Sequence, residues 1–131
     1  MTDEAEVWAR LRAIYDGFLA SDTDGVDALL HRDVTIWDSA EFPLTRGLEQ
    51  LRDLRRRRPR DPGAPRVLRL DATDPVIDVW GDTALVRHIL SVELSDGTRE
   101  TVRNTSVWRR AQGAWQAVHN HEDIAGGGGR P

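Results

Sequence analysis

The chain has 131 residues, of which 39% are hydrophobic and 31% charged, and a formal net charge of −4. These values describe one soluble globular domain, long enough to bury roughly two thirds of the surface its unfolded form exposes. The absences exclude more. There is no Cys, and all 18 basic residues are Arg, so thiolate nucleophiles, disulfides, Cys-bound zinc, Schiff-base lysines and Walker-type phosphate lysines are all ruled out. Carboxylate, His, Tyr and hydroxyl chemistry remains, and the expectation is a protein without a cofactor. A pI near 5.5 argues against a nucleic-acid binder, which needs clustered cations to neutralise phosphates. The acidic start Met1-Thr2-Asp3-Glu4 is no secretory signal, and no apolar run reaches spanning length, so the sequence reads as cytoplasmic, with no membrane partner.

Apolar residues at Val7, Trp8, Leu11, Ile14, Tyr15, Phe18 and Leu19 fall at the three-and-four spacing of a helix with one buried stripe. Ser21-Asp22-Thr23-Asp24 supplies a turn and a cap for a second short helix through Val26, Leu29 and Leu30, ending near His31. Asp33 to Asp38 reads as a strand with Val34, Ile36 and Asp38 on one face and Thr35 and Trp37 on the other, which puts a carboxylate on the apolar side. Thr45-Arg46-Gly47 opens a third helix to about Arg58, and the proline-rich 59–65 cannot continue it. The run of arginines at 55–58 suits a solvated helix C-terminus, with an anion or partner site as the alternative.

From Arg66 onward the pattern is β: Val67 to Trp80, Thr83 to Ser95, Thr98 to Arg110 and Trp115 to Glu122, joined by tight turns such as Asp96-Gly97. Thr73-Asp74-Pro75 is expected to interrupt the first run. Residues 1–124 thus form a single domain and 125–131 a flexible glycine-rich tail. Helices followed by antiparallel strands make an α+β fold with helices on one face of a curved sheet. In the Thr83–Ser95 strand, Ala84, Val86, His88, Leu90, Val92 and Leu94 share a nearly continuous apolar face, while Leu85, Arg87, Ile89, Ser91 and Glu93 share a mixed one. The mixed face is expected to wall a pocket and the apolar face to associate with a second copy, giving a homodimer. His119 and His121 alternate as strand ligands could, but two more would have to come from elsewhere, and no metal is expected. They are expected to lie with Trp115 away from the cavity, with His88 in the same outer layer.

The stretches Leu29-Leu30-His31-Arg32-Asp33-Val34-Thr35-Ile36-Trp37-Asp38, Arg46-Gly47 and 107–121, VWRRAQGAWQAVHNH, together with the order of elements, resemble the nuclear transport factor 2-like superfamily. Within it, the chain is most similar to the SnoaL-like branch, near the calcium/calmodulin-dependent kinase II association domain. The resemblance implies a cone-shaped α+β barrel, three N-terminal helices on a curved antiparallel sheet around one apolar cavity. It does not fix an activity, because fold does not imply function. Steroid-isomerase members place a Tyr late in the first helix and an Asp on the first strand after the second; Tyr15 and Asp38 stand there. The resemblance implies Asp38 as general base and Tyr15 as donor to a developing enolate oxygen. The second acid donor of those isomerases is missing, since the matching stretch is Asn104-Thr105-Ser106. Kinase association domains line the cavity with arginines. Arg87 matches one of these, while Ser106 and Glu122 stand where two others would be.

Each candidate also has a plainer reading: Asp38 a loop cap, Tyr15 a core residue bonded to a carbonyl, Arg87 a surface ion pair. The function expected is a small-molecule enzyme performing isomerisation, cyclisation or dehydration on an apolar carbonyl compound. Arg87, Asn104, Ser106, Trp108, Asn120 and Glu122 would orient a small apolar ligand bearing a carbonyl or carboxylate. The alternative is a non-catalytic ligand-binding or oligomerisation module.

Overall fold

The computed structural model describes residues 1–58 and 61–127. In chain order it contains α1 (Asp3–Leu19), α2 (Thr23–Asp27), β1 (Leu30–Trp37), β2 (Thr45–Arg46), α3 (Gly47–Arg57), β3 (Val67–Trp80), β4 (Thr83–Leu94), β5 (Arg99–Ala111) and β6 (Ala114–Gly127). The strands form one sheet in the order β2-β1-β6-β5-β4-β3, and the three helices cover it, as expected of the α+β barrel. The sheet is mixed rather than purely antiparallel, because β1 runs parallel to β6.

Local signals set the helix ends. Thr2 caps α1 by accepting from the Ala5 amide at 3.1 Å, with Asp3, Glu4 and Glu6 in the first turn where carboxylates complement the exposed N–H groups. Asp22 does the same for α2 through the Gly25 amide at 3.0 Å. That helix is shorter than the sequence suggests, ending at Asp27, because Leu30 is drawn into the sheet beside Ala117. The turn into α3 needs φ +84° at Gly47, where an added Cβ would also stand 3.3 Å from the Arg32 carbonyl; only glycine enters that region without strain.

β3 is not interrupted at Thr73-Asp74-Pro75. The register shifts between Thr73 and Val76, and since β3 is the edge strand, the missing proline N–H costs no ladder bond that a neighbour needs. β6 continues through Gly127, pairing Gly126 and Gly127 with Thr101 and Glu100, so the strand takes in the first residues of the expected tail; the rest of that tail, 128–131, lies outside the described residues.

The faces of β4 are the reverse of those expected. Ala84, Val86, His88 and Leu90 are buried, and Ala84 and Val86 pack with Val7 and Leu11 of α1, Val34, Trp108 and Trp115 in one core. The apolar face lies under the helices because that burial is the larger hydrophobic gain, at about 25 cal/mol per Å². The mixed face, with Arg87, is the outer one. Trp115 also turns inward, contrary to the parity expected. Val107 pairs with His119, but the next residue, Trp108, pairs with Ala117. Val118 is therefore an extra residue on β6, and the faces exchange across it: Trp115 and Ala117 enter the core before it, and His119 and His121 lie outside after it.

Candidate functional site

Between the helices and the inner face of the sheet lies a cavity of about 370 Å³. Its deep wall is built by Leu11, Val26, Leu30, Trp108, Ala117 and Val102, all buried. The exposed Phe18 and Ile124 also line it and so mark its mouth. Among the described residues the cavity gathers Tyr15, Asp38, Asn104, Ser106, Trp108, Asn120 and Glu122, seven of the eight residues singled out in the sequence. The pairing explains the grouping. Asn104 stands opposite Glu122, and Ser106 opposite Asn120, while Ile36, two residues before Asp38, pairs with Asn120, so all of these side chains leave one face of three adjacent strands.

Arg87 is the exception. It stands on the outer face, ion-paired with Asp78 and donating to the Val76 carbonyl at 3.3 Å. The surface ion pair is the reading that describes it, and no cation reaches the cavity by that route. Among the described residues, the cationic side chain that does line the cavity is Arg55, which is held by Asp27 at 2.8 Å. Asp27 also takes Arg52 at 3.1 Å and is only 6% exposed. The arginine run on α3 is thus a set of latches as well as a solvated end: Arg52 and Arg55 fasten α2, while Arg58 reaches Asp38 at 2.8 Å and Glu41 at 3.8 Å.

The acids at the mouth differ in environment. Asp38 accepts from Arg58 and, at 2.8 Å, from the Ala40 amide, so it caps its loop and faces the cavity together. Glu122 is half-buried, and burial first, then the negative charge of Asp38, raises its pKa, against a bond from the Ser39 backbone and the charge of Arg58. Deeper in, Tyr15 Oη and His88 Nε2 lie 2.8 Å apart, with Trp8 edge-on to the imidazole at 5.7 Å. Burial, reinforced by the charge of Glu122, pushes the Tyr15 hydroxyl above the ordinary tyrosine range, and burial pushes His88 down to about 4, so both are neutral at pH 7. Tyr15 bonds a side chain, not a backbone carbonyl. His88 was missed as part of this site because its face was assigned to the outside. Its placement in the middle of the longest apolar alternation in the chain was the available signal.

On the outer face Thr35 Oγ1 lies 2.7 Å from His119 Nδ1, and Trp37 packs against His119 and His121 with ring centroids 6.0 and 5.3 Å away. Among the described residues no group of three or more His, Cys, Asp or Glu side chains is arranged to hold a metal, and no helix is long and apolar enough to cross a membrane.

The family model for the SnoaL-like domain matches residues 11–118. The chain belongs to the SnoaL-like family. No curated protein matches it. Solved structures similar to it include the CamKII hub homology domain of Chlamydomonas reinhardtii, at 22% identity over 96% of this chain and 100% of that one, with a TM-score of 0.79. A nuclear transport factor 2-like protein from Cytophaga hutchinsonii is 14% identical over 95% and 99% of the two chains, at TM-score 0.76. A ketosteroid isomerase-like protein from Parabacteroides distasonis is 23% identical over 88% and 84%, at TM-score 0.71. At these identities the likeness of this SnoaL-like domain to its neighbours is one of fold, and its site has to be read from its own residues.

Proposed function

We propose that this SnoaL-like domain is a cofactor-independent enzyme that moves a proton on a small apolar carbonyl compound, in an isomerisation, cyclisation or dehydration. The observation that carries the reading is the sharing of one apolar cavity by a neutral tyrosine hydroxyl and a pair of adjacent carboxyl groups. An apolar wall with a few convergent polar groups is the usual form of a small-molecule site. A carboxylate removes a proton from the carbon next to the ligand carbonyl. The electron pair moves onto the carbonyl oxygen, Tyr15 Oη–H donates to that developing enolate, and the proton returns at another carbon.

Within the pair, Asp38 is ion-paired with Arg58, while burial and the charge of Asp38 raise the proton affinity of Glu122. Glu122 is therefore the better acceptor, with Asp38 beside it raising its basicity. Asn104, Ser106, Trp108 and Asn120 orient the ligand. With Arg87 outside and Arg55 engaged by Asp27, the group that meets the site's donors in this reading is a carbonyl.

The second reading, a non-catalytic ligand-binding or oligomerisation module, draws on the hub neighbour and on the exposed aromatic Trp37, 44% accessible on the outer sheet face. A homodimer across that face is compatible with either role. The two are separated by following α-hydrogen exchange of a panel of apolar ketones in D2O by proton NMR. The enzyme reading expects protein-dependent exchange that falls about 100-fold or more in Glu122→Gln, the usual scale of general-base catalysis. Ketones that bind without any exchange above buffer would leave the binding module.

A further inference from the structure

Across the inner face of the sheet, His88 on β4, Asn104 on β5 and Glu122 on β6 stand side by side in register, with Tyr15 of α1 against the His88 end of the row. On the far side of His88 the β3 register shifts between Thr73 and Val76, so the residue paired with it in register is Asn104 of β5. His88 and Asn104 are 3% and 4% exposed. His88 Nδ1 and Asn104 Oδ1 have no hydrogen-bond partner among the described residues.

These two unpartnered atoms bear on where the imidazole proton sits. A neutral imidazole carries one N–H and one lone pair. Were the proton on Nδ1, it would be a buried donor with the Asn104 acceptor at the paired position, yet neither atom is bonded. An orphaned buried N–H is among the rarest arrangements in folded proteins, whereas an unused lone pair is tolerated more often. The proton therefore belongs on Nε2, where it has an acceptor in Tyr15 Oη at 2.8 Å. Tyr15 then receives at its oxygen and keeps its own O–H for the cavity it lines.

We infer that His88 is the positioning residue of this site: held as the Nε2–H tautomer, it donates to Tyr15 Oη and so directs the tyrosine proton at a ligand carbonyl oxygen. The inference rests on the reading of Tyr15 as the donor to the ligand. In the opposite tautomer Tyr15 would spend its proton on His88 and offer the ligand only a lone pair. The sequence of donors, Nε2–H to Oη–H to ligand oxygen, also polarises each bond along it.

Long-range nitrogen–proton correlation spectra of the full chain at pH 7.5, with His88 identified among the 4 histidines by loss of its signals in His88→Gln, report the tautomer directly. Protonation at Nε2 is expected, and protonation at Nδ1 would overturn the inference. The second arm uses 2-acetylnaphthalene carrying a 13C carbonyl. Its stretching frequency should fall on binding to the native chain, and Tyr15→Phe should abolish that shift. His88→Leu should reduce the shift and weaken binding about fivefold, the worth of one ordinary hydrogen bond, while His88→Gln, which keeps a donor, should restore most of both. If the probe binds and His88→Leu changes neither quantity, the positioning role is wrong. If no ketone binds the native chain, the carbonyl-enzyme reading fails, and the tautomer alone then decides what His88 does.

Discussion

Lowering the pH should unfold this protein along a curve shaped by His88. The sign follows from its depressed pKa. The folded state resists the proton until about pH 4, whereas the unfolded chain takes it at the ordinary 6.5. Between those values the unfolded state binds more protons, so stability is complete above 6.5 and is lost as pH falls toward 4. The gap of 2.5 units, at 1.36 kcal/mol each, sets the total loss at about 3 kcal/mol, of which about 2 kcal/mol is gone by pH 5. The side chain is only 3% exposed and packs against Trp8 and Tyr15, so bulk water screens it little. Against a total stability of roughly 5–15 kcal/mol for a domain, that is a large fraction. At a urea slope near 2 kcal/mol per molar, the midpoint should drop by about 1 M between pH 7.5 and pH 5. Urea titrations of the native chain and of His88→Gln at half-unit steps isolate this contribution, because every other titrating group is common to both. Parallel midpoint curves from pH 7 to 5 would mean that His88 is freely protonated in the folded state, and the account of a dry, neutral Tyr15–His88 pair would be lost.

Glu122 should act in the opposite sense. Its raised pKa makes the folded state hold a proton that the unfolded chain releases above about 4.5, so it lowers stability as pH rises through its folded pKa; Glu122→Gln should be more stable than the native chain at pH 7 in the same urea titration. Tyr15 is the one tyrosine in the sequence, so absorbance at 295 nm reports it alone. No tyrosinate should appear at pH 10–11 until unfolding, monitored by far-ultraviolet circular dichroism, sets in. Asp27→Asn, which weakens the latch to Arg52 and Arg55, should cost about 1–3 kcal/mol by chemical denaturation, the usual scale for a buried charge-assisted pair with exposed partners. Trp37→Glu, placing a charge on the outer sheet face, should leave stability within about 0.5 kcal/mol and shift sedimentation from dimer to monomer if that face joins two copies.

Helix α1, the three tight strand turns and the alternation of β1 were legible because each is written in local signals: a cap, a three-and-four stripe, an Asp-Gly pair. The inward turn of Asp38 came from parity within a single strand. What misled was parity carried between strands. The two faces of β4 are distinguishable by composition, but which one meets the helices depends on α1 docking there, a long-range fact. The inner positions of Trp115 and Ala117 depend on one additional residue at Val118, which leaves no compositional trace. Proline at 75 looked like a break because its tolerance depends on β3 being an edge, and strand order is not local information. The arginine run likewise showed its charge but not Asp27, a partner more than twenty residues upstream.

The irregularity at Val118 gives one ribbon of backbone two different jobs. Toward its beginning it supplies bulk to a sealed interior, and toward its end it supplies hydrogen-bonding groups to the chamber. The two halves are phased independently, so the polar end can be rewritten for another ligand without disturbing the aromatic anchor at Trp115. An alignment that slid past this point by a single position would exchange lining for exterior along the remainder of the strand, and would assign its chemistry to the wrong side chains.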